Sequence, residues 1–323
     1  MNRQLRLGLL LLGVVVVGLM VWKVGPAALL NGLRGSLWVI LALIPLWIAV
    51  YLLNAYAWRQ LTSGGGEPIP LVQAFRMTVI AFAVNYSTPF LSFGGEPLKV
   101  MAATPALGRR RAVGSIVAFR IMHALVHVVW FLVALIPAAI LLPKTPVSII
   151  SIVVIGAVLI AITVFLLSRH REGLALQLLN IIRRIPLLKR LSSRLEHQAE
   201  AFHEIDQHVT EVYKQAPGRF WIAFGAESLG RLLTLAEYWV ILYGLGLGVD
   251  PWRAFVVASF SSLVINALIF VPFELGTREA GPYLIFHWLG IDPALGLATA
   301  LLSRVREVMW IAAGWAMVWT VKE

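Results

Sequence analysis

Pro89-Phe90-Leu91-Ser92-Phe93-Gly94-Gly95-Glu96-Pro97-Leu98-Lys99 interrupts a long apolar stretch with two prolines, two adjacent glycines and a carboxylate. Proline lacks the backbone donor that helix continuation needs, and glycine gains most from leaving the helix, so the run Leu71–Thr88 must break here. The pattern recurs downstream as Pro272-Phe273-Glu274-Leu275-Gly276-Thr277-Arg278-Glu279. A carboxylate among apolar residues is costly in lipid and is kept for a purpose. Two broken, charged helices in one chain are the pattern of a transporter core.

Composition sets the solvent. Of 323 residues, 59% are hydrophobic and 13% charged, against about 25% charged in soluble domains. Most of this chain therefore reads as lipid-facing or membrane-buried. Cysteine is absent, which excludes disulfides, thiolate metal sites and a cysteine nucleophile. The net charge of +11 raises the question of nucleic acid, but the basic residues gather in Arg109-Arg110-Arg111 and between Arg169 and Arg219. Charge placed between apolar runs is the mark of a cytoplasmic membrane face. No nucleic-acid partner is expected.

Apolar stretches run Leu7–Val24, Leu37–Ala57, Leu71–Thr88, Ala112–Ile136, Val147–Ser168, Phe220–Leu245, Pro251–Val271 and Pro293–Thr320. The first follows Arg3 and Arg6 like a secretory signal, but it meets Trp22-Lys23 with no small-residue cleavage site, and so reads as an uncleaved helix. Simple alternation of eight spans would place the two basic clusters on opposite sides of the membrane. A turn-back resolves this. Leu98–Leu107 supplies about 15 Å of helix, half a membrane. Residues 71–107 are predicted to form a re-entrant hairpin, and 251–290 a second one entering from the opposite face. Irregular backbone at that depth must face protein or a wet cavity.

The predicted fold is an all-α polytopic membrane protein with about six full transmembrane helices and two oppositely oriented re-entrant hairpins. Residues 1–323 form one integral membrane domain. It comprises a first helix and outer loop (1–35), repeat 1 (36–142), a linking helix (143–168), a cytoplasmic amphipathic segment (169–216) and repeat 2 (217–323). Both termini fall in the cytoplasm, where Arg3, Arg6, Arg59, Arg109–Arg111 and Lys322 collect. Ala74-Phe75 echoes Ala254-Phe255, and Asn85 echoes Asn266, so the two units read as an inverted repeat of span, hairpin and span.

At these residues the chain resembles the flippase-like family, also named for the transmembrane region of lysylphosphatidylglycerol synthase. The matching residues are Gly94-Gly95-Glu96-Pro97 with Lys99, then Pro272, Glu274, Gly276 and Glu279, and finally Arg304-x-Arg306-Glu307 with Trp310 and Gly314. The resemblance implies a protein of a prokaryotic plasma (inner) membrane that moves polar-headed lipids between leaflets: phospholipids, aminoacyl-lipids or hopanoids. It also implies that the aminoacyl-transferase half found in bifunctional members is missing from this chain.

Within that frame the breaks lie at Pro89, Gly94, Gly95, Pro97, Pro272 and Gly276. The substrate or transport candidates are Glu96, Lys99, Arg120, Glu237, Glu274, Arg278, Glu279 and Arg304. Glu96 and Glu279 at the tips can meet a headgroup or a coupling proton, with Lys99 and Arg278 tuning them; as an alternative they cap the returning half-helices. Arg120 and Arg304, which correspond by the repeat, can hold a lipid phosphate or neutralise the two glutamates as buried pairs. Asn85 and Asn266 are placed to bond unwound carbonyls near the hairpins.

Glu227 and Arg231, at i and i+4, read as a structural pair. Glu237 has no evident local partner and is the proton-relay candidate. His123 and His127 share a face, but without an H-E-x-x-H pattern no metal is expected. Residues 169–216 carry leucines and isoleucines at helical spacing among Arg183-Arg184 and Lys189-Arg190, the pattern of amphipathic helices on an anionic inner leaflet.

Lipid transport is therefore the leading expectation, with membrane lipids as partners and no cofactor. No phosphate-binding loop pattern is present to drive it directly with ATP. Docking of a lipid-biosynthesis enzyme is the alternative. Intramembrane lipid modification ranks third, because no nucleophile–base pair stands out.

Overall fold

The chain organises around paired helices that meet at a polar centre. A computed structural model describes residues 22, 37–62, 68–87, 94–169, 217–248, 250–268 and 277–318. Those residues form nine helices and no strand: α1 (Leu37–Leu61), α2 (Leu71–Ser87), α3 (Glu96–Leu107), α4 (Arg109–Leu141), α5 (Pro146–Arg169), α6 (Pro217–Gly244), α7 (Pro251–Ala267), α8 (Thr277–Trp288) and α9 (Pro293–Val318). The predicted first helix, nearly all of the amphipathic segment, Pro89, Pro272, Glu274 and Gly276 lie outside the described residues.

Local chemistry sets many of the boundaries. Proline opens α5, α6, α7 and α9, where its missing N–H costs nothing. Asp250 caps α7 by accepting from the Trp252 amide at 2.8 Å, and Asp292 does the same for Ala294 at 2.9 Å. A single residue, Gly108, joins α3 to α4; its φ of 75° is one that a side chain disfavours.

The sequence reading of Pro97 as a break needs correction. Gly94 and Gly95 make the turn, while Glu96 and Pro97 are already the first two residues of α3. Proline is well suited to a first turn, so it starts this helix and does not interrupt it.

Among the described residues, three helices are long and apolar enough to cross a membrane by length and composition: α1, α4 and most of α5, Pro146–Leu166. Of the six full spans predicted, the first falls outside the described residues. The remaining two correspond to α6 and α9, at 28 and 26 residues. Both are long enough, but they carry charges that the fold buries, among them Glu227, Arg231, Glu237, Arg304, Arg306 and Glu307.

Helix α1 packs on α6, α2 on α9, α4 on α7, α3 on α4 and α8 on α9. Close approach depends on small residues, as expected where lipid supplies no hydrophobic drive between helices. Gly95 lies against the backbone of Ala81, Gly281 against Ser261, and Gly314 against Ala83 and Val79. One large apolar cluster joins α1, α2, α4 and α9 around Trp58, Met122 and Ile311, and a second joins α4, α6, α7 and α8 around Leu242, Val257 and Phe286. By contrast α5 exposes Ile150, Val153, Val154, Val158 and Ile160, a face suited to lipid tails.

Candidate functional site

Between the two clusters lies a cavity of about 320 Å³ whose wall is drawn from α1, α2, α4, α6, α7, α8 and α9. Its charged lining comprises Arg120, Glu227, Arg231, Glu237, Arg278, Arg306 and Glu307, joined by His123 and His127. Burial of this many charges in an apolar bundle requires specific pairing.

The densest pairing centres on Glu307, which is fully buried. Arg278 pairs with its Oε1 and also donates to the Tyr86 hydroxyl, which in turn donates to Glu307 Oε1 at 3.4 Å. Arg304 Nη1 approaches Glu307 Oε2 at 3.4 Å, and Arg306 Nη2 lies 3.6 Å from Oε1. Arg306 also grips Glu237 with two parallel bonds, Nε to Oε1 at 3.0 Å and Nη2 to Oε2 at 3.2 Å. Trp47 closes this pair: its ring lies 3.8 Å under the guanidinium, and its Nε1 donates to Glu237 Oε2 at 3.1 Å. Such forked, stacked geometry is the strongest an arginine makes.

Glu237 has no partner nearby in sequence, as its surroundings suggest, but it does have a distant one. That partner is 69 positions away in sequence, beyond any local pattern. Arg278, read from sequence as tuning the nearby glutamates, pairs with Glu307 and Tyr86 on other helices.

The N-terminal turns of α3 and α8 behave alike. Arg120 on α4 pairs with Glu96 Oε1, and Arg304 Nε on α9 donates to Glu279 Oε1 at 3.2 Å. The ion-pair alternative for these residues is therefore the geometry observed. Glu96 caps no backbone amide, since its Oε2 has no partner. The Gly95 amide is met instead by Asn85 Oδ1 at 2.6 Å. Asn85 thus accepts from the turn, where a bond to unwound carbonyls was expected. Asn266 does donate to a carbonyl, but to that of Ser262 on its own helix, at 2.8 Å. Lys99 is buried with its ammonium 5.3 Å from the Trp58 ring and 4.9 Å from Phe119, a cation–π environment.

Glu227 and Arg231 do not form the pair that their spacing suggests. Glu227 turns its Oε1 to His123 Nδ1 on α4 at 2.5 Å, and His123 stacks on His127 with centroids 4.3 Å apart. Arg231 lies over the Phe131 ring at 5.2 Å.

Of the residues singled out from sequence, Asn85, Arg120, Glu237, Asn266 and Arg278 line the cavity. Glu96, Lys99, Glu279 and Arg304 are not among its lining residues. Sequence reasoning passed over Arg231, His123 and Tyr86 as cavity groups. The polar positions spaced three to four apart on α6, from Glu227 through Arg231 and Thr234 to Tyr238, are the signal that pointed to it.

Residues 6–314 match the model for the lysylphosphatidylglycerol synthase TM region. A UPF0104 membrane protein, PH1989, of Pyrococcus horikoshii is 22% identical over 319 residues, covering 94% of this chain and 92% of that protein. No solved structure matches. With apolar helices long enough to span and a family model covering nearly its whole length, this chain is a multi-pass membrane protein and belongs to the lysylphosphatidylglycerol synthase transmembrane-region family.

Proposed function

We propose that this protein is a lipid flippase: a carrier, not a catalyst, that passes a polar headgroup through the central cavity while the acyl tails stay in lipid. The observation that carries the reading is the cavity itself, lined by polar and charged side chains, where helices α1, α2 and α4 meet α6, α7, α8 and α9. Exchanging α1–α4 with α6–α9 maps each principal helix contact onto another: α2–α9 onto α7–α4, α3–α4 onto α8–α9, and α1–α2 onto α6–α7. Lengths follow suit, with 17 residues in α2 and α7 and 12 in α3 and α8. Such internal two-fold relation supports an inverted repeat of span, hairpin and span, the arrangement by which transporters open a central site alternately to each side.

In this reading α2–α3 and α7–α8 are the re-entrant hairpins, and six full spans surround them. The site of action is a prokaryotic inner membrane with both termini in the cytoplasm. The name of the matched family, that of a lipid-synthesising enzyme's membrane region, favours a lipid as cargo. The Glu96–Arg120 and Glu279–Arg304 pairs tie each hairpin tip to the following helix, so breaking either should loosen the gates.

The test is transfer of fluorescent phospholipids in liposomes holding the purified protein, read by bleaching from outside. Wild type is expected to expose inner-leaflet lipid. Ser262→Trp, which fills the cavity without changing charge, should slow transfer by about tenfold or more; Glu96→Gln and Glu279→Gln should slow it too. Chemical conversion of the lipid, or no transfer of any headgroup with or without a proton gradient, would sink the proposal.

A further inference from the structure

One turn of α6 carries two buried groups with open hydrogen-bonding capacity at the cavity wall. Arg231 is 8% exposed, and its Nε and Nη2 have no hydrogen-bond partner among the described residues. Glu227 is 2% exposed, and its Oε2 has none either. The i, i+4 spacing would let the two side chains satisfy each other. Instead α4 holds them apart, His123 by taking Glu227 Oε1 and Phe131 by lying under the guanidinium. Unmet buried donors and acceptors are costly, and a guanidinium is the donor best shaped for a phosphate. The other cavity arginines, Arg120, Arg278 and Arg306, are engaged with carboxylates. Among the described residues, Arg231 is therefore the cavity arginine that forms no ion pair with a carboxylate.

We infer that this turn is the headgroup seat of the transport path proposed above, taking a phosphodiester on Arg231 and a primary ammonium on Glu227 Oε2. The inference rests on that reading for its cargo and on the two open groups for its chemistry. The Arg231 nitrogens donate to phosphate oxygens, and the ammonium donates to the carboxylate one turn away. One turn is about 5.4 Å, a span that a two-carbon linker between phosphate and amine can bridge. The seat thus selects a zwitterionic ethanolamine-type headgroup. An anionic glycerol headgroup fills only the Arg231 half, and free phosphate lacks the second half altogether.

Binding to the full-length protein in detergent tests this by calorimetry with dihexanoyl phosphatidylethanolamine, dihexanoyl phosphatidylglycerol and inorganic phosphate. Wild type should prefer the ethanolamine lipid over the glycerol lipid by about tenfold or more. Arg231→Gln should weaken both lipids by about tenfold or more, and Arg231→Lys, which keeps charge without the fork, should fall between. Glu227→Gln should reduce the ethanolamine lipid to the level of the glycerol lipid and leave the latter unchanged. Because Arg231 is a buried cation with no ion pair among the described residues, Arg231→Gln should melt no lower than wild type, so lost binding will not reflect lost fold.

Undiminished binding by Arg231→Gln overturns the seat. Equal binding of all three probes by wild type leaves a bare anion site and overturns the headgroup assignment. If the binding pattern holds but liposomes show no transfer, the transport reading fails and the seat stands. Transfer that proceeds while both variants bind normally removes the seat alone.

Discussion

Replacing Glu307 by glutamine is expected to lower the thermal stability of the purified protein more than any other conservative substitution in the chain. Glu307 is fully buried and serves Arg278, Arg304, Arg306 and Tyr86 at once. Glutamine keeps the shape but removes the charge, leaving three guanidiniums to share Glu237 and Glu279. Breaking a buried pair from one side costs roughly 3–5 kcal/mol, because the remaining charge stays in the interior without compensation. Detergent-solubilised protein should therefore unfold at a clearly lower temperature, measured by tryptophan fluorescence. Combining it with Arg278→Gln should cost less than the two single changes added together, since the second change removes an orphaned charge. Unchanged melting of Glu307→Gln, or strict additivity, would mean that the network does not hold the helices.

Gly95→Ala is the second large effect. A Cβ at this position would lie 2.3 Å from the Ala81 carbonyl oxygen and 2.5 Å from its Cα, both backbone atoms that cannot rotate aside. Helix α3 must move off α2, and two dependent contacts move with it: the Gly95 amide on Asn85 and the Glu96–Arg120 pair. Overpacking of this kind costs about 1–3 kcal/mol or more. Lower melting temperature and slower lipid transfer are both expected. Gly225→Ala is the matched control, since this exposed position within α6 has nothing within 4 Å of an added Cβ. It should be neutral or stabilising by about 0.5–1 kcal/mol, as for glycine in a helix interior. If both variants melt alike, the tight α2–α3 contact is not a constraint.

The halves of each broken helix were legible from proline, glycine and apolar run length, because those effects act within a few residues of the chain. Ion pairing of Arg120 and Arg304 with Glu96 and Glu279 was legible as one of two alternatives, and which cation meets which glutamate came from the structure. Pro97 was misread because a proline both ends and begins helices, and only the position of the turn, at Gly94-Gly95, decides which. Glu237 shows no local partner because its partner, Arg306, belongs to α9, 69 positions away. Glu227 and Arg231 were misread, as a local rule gave way to His123 and Phe131 on α4.

What sequence by itself determined is the class of molecule: an apolar, cysteine-free, membrane-embedded helical chain with two charged interruptions and a match across residues 6–314 to one membrane family. Those properties are sums or short-range patterns along the chain, so no folding is needed to read them. Tertiary structure alone decided which charge meets which, and hence which group is left open. An ion pair forms over a few ångströms between helices far apart in sequence, and its cost or gain depends on how completely both members leave water. The binding capacity of Arg231 and Glu227 exists only because other helices claim the remaining carboxylates and arginines and leave these two facing the cavity.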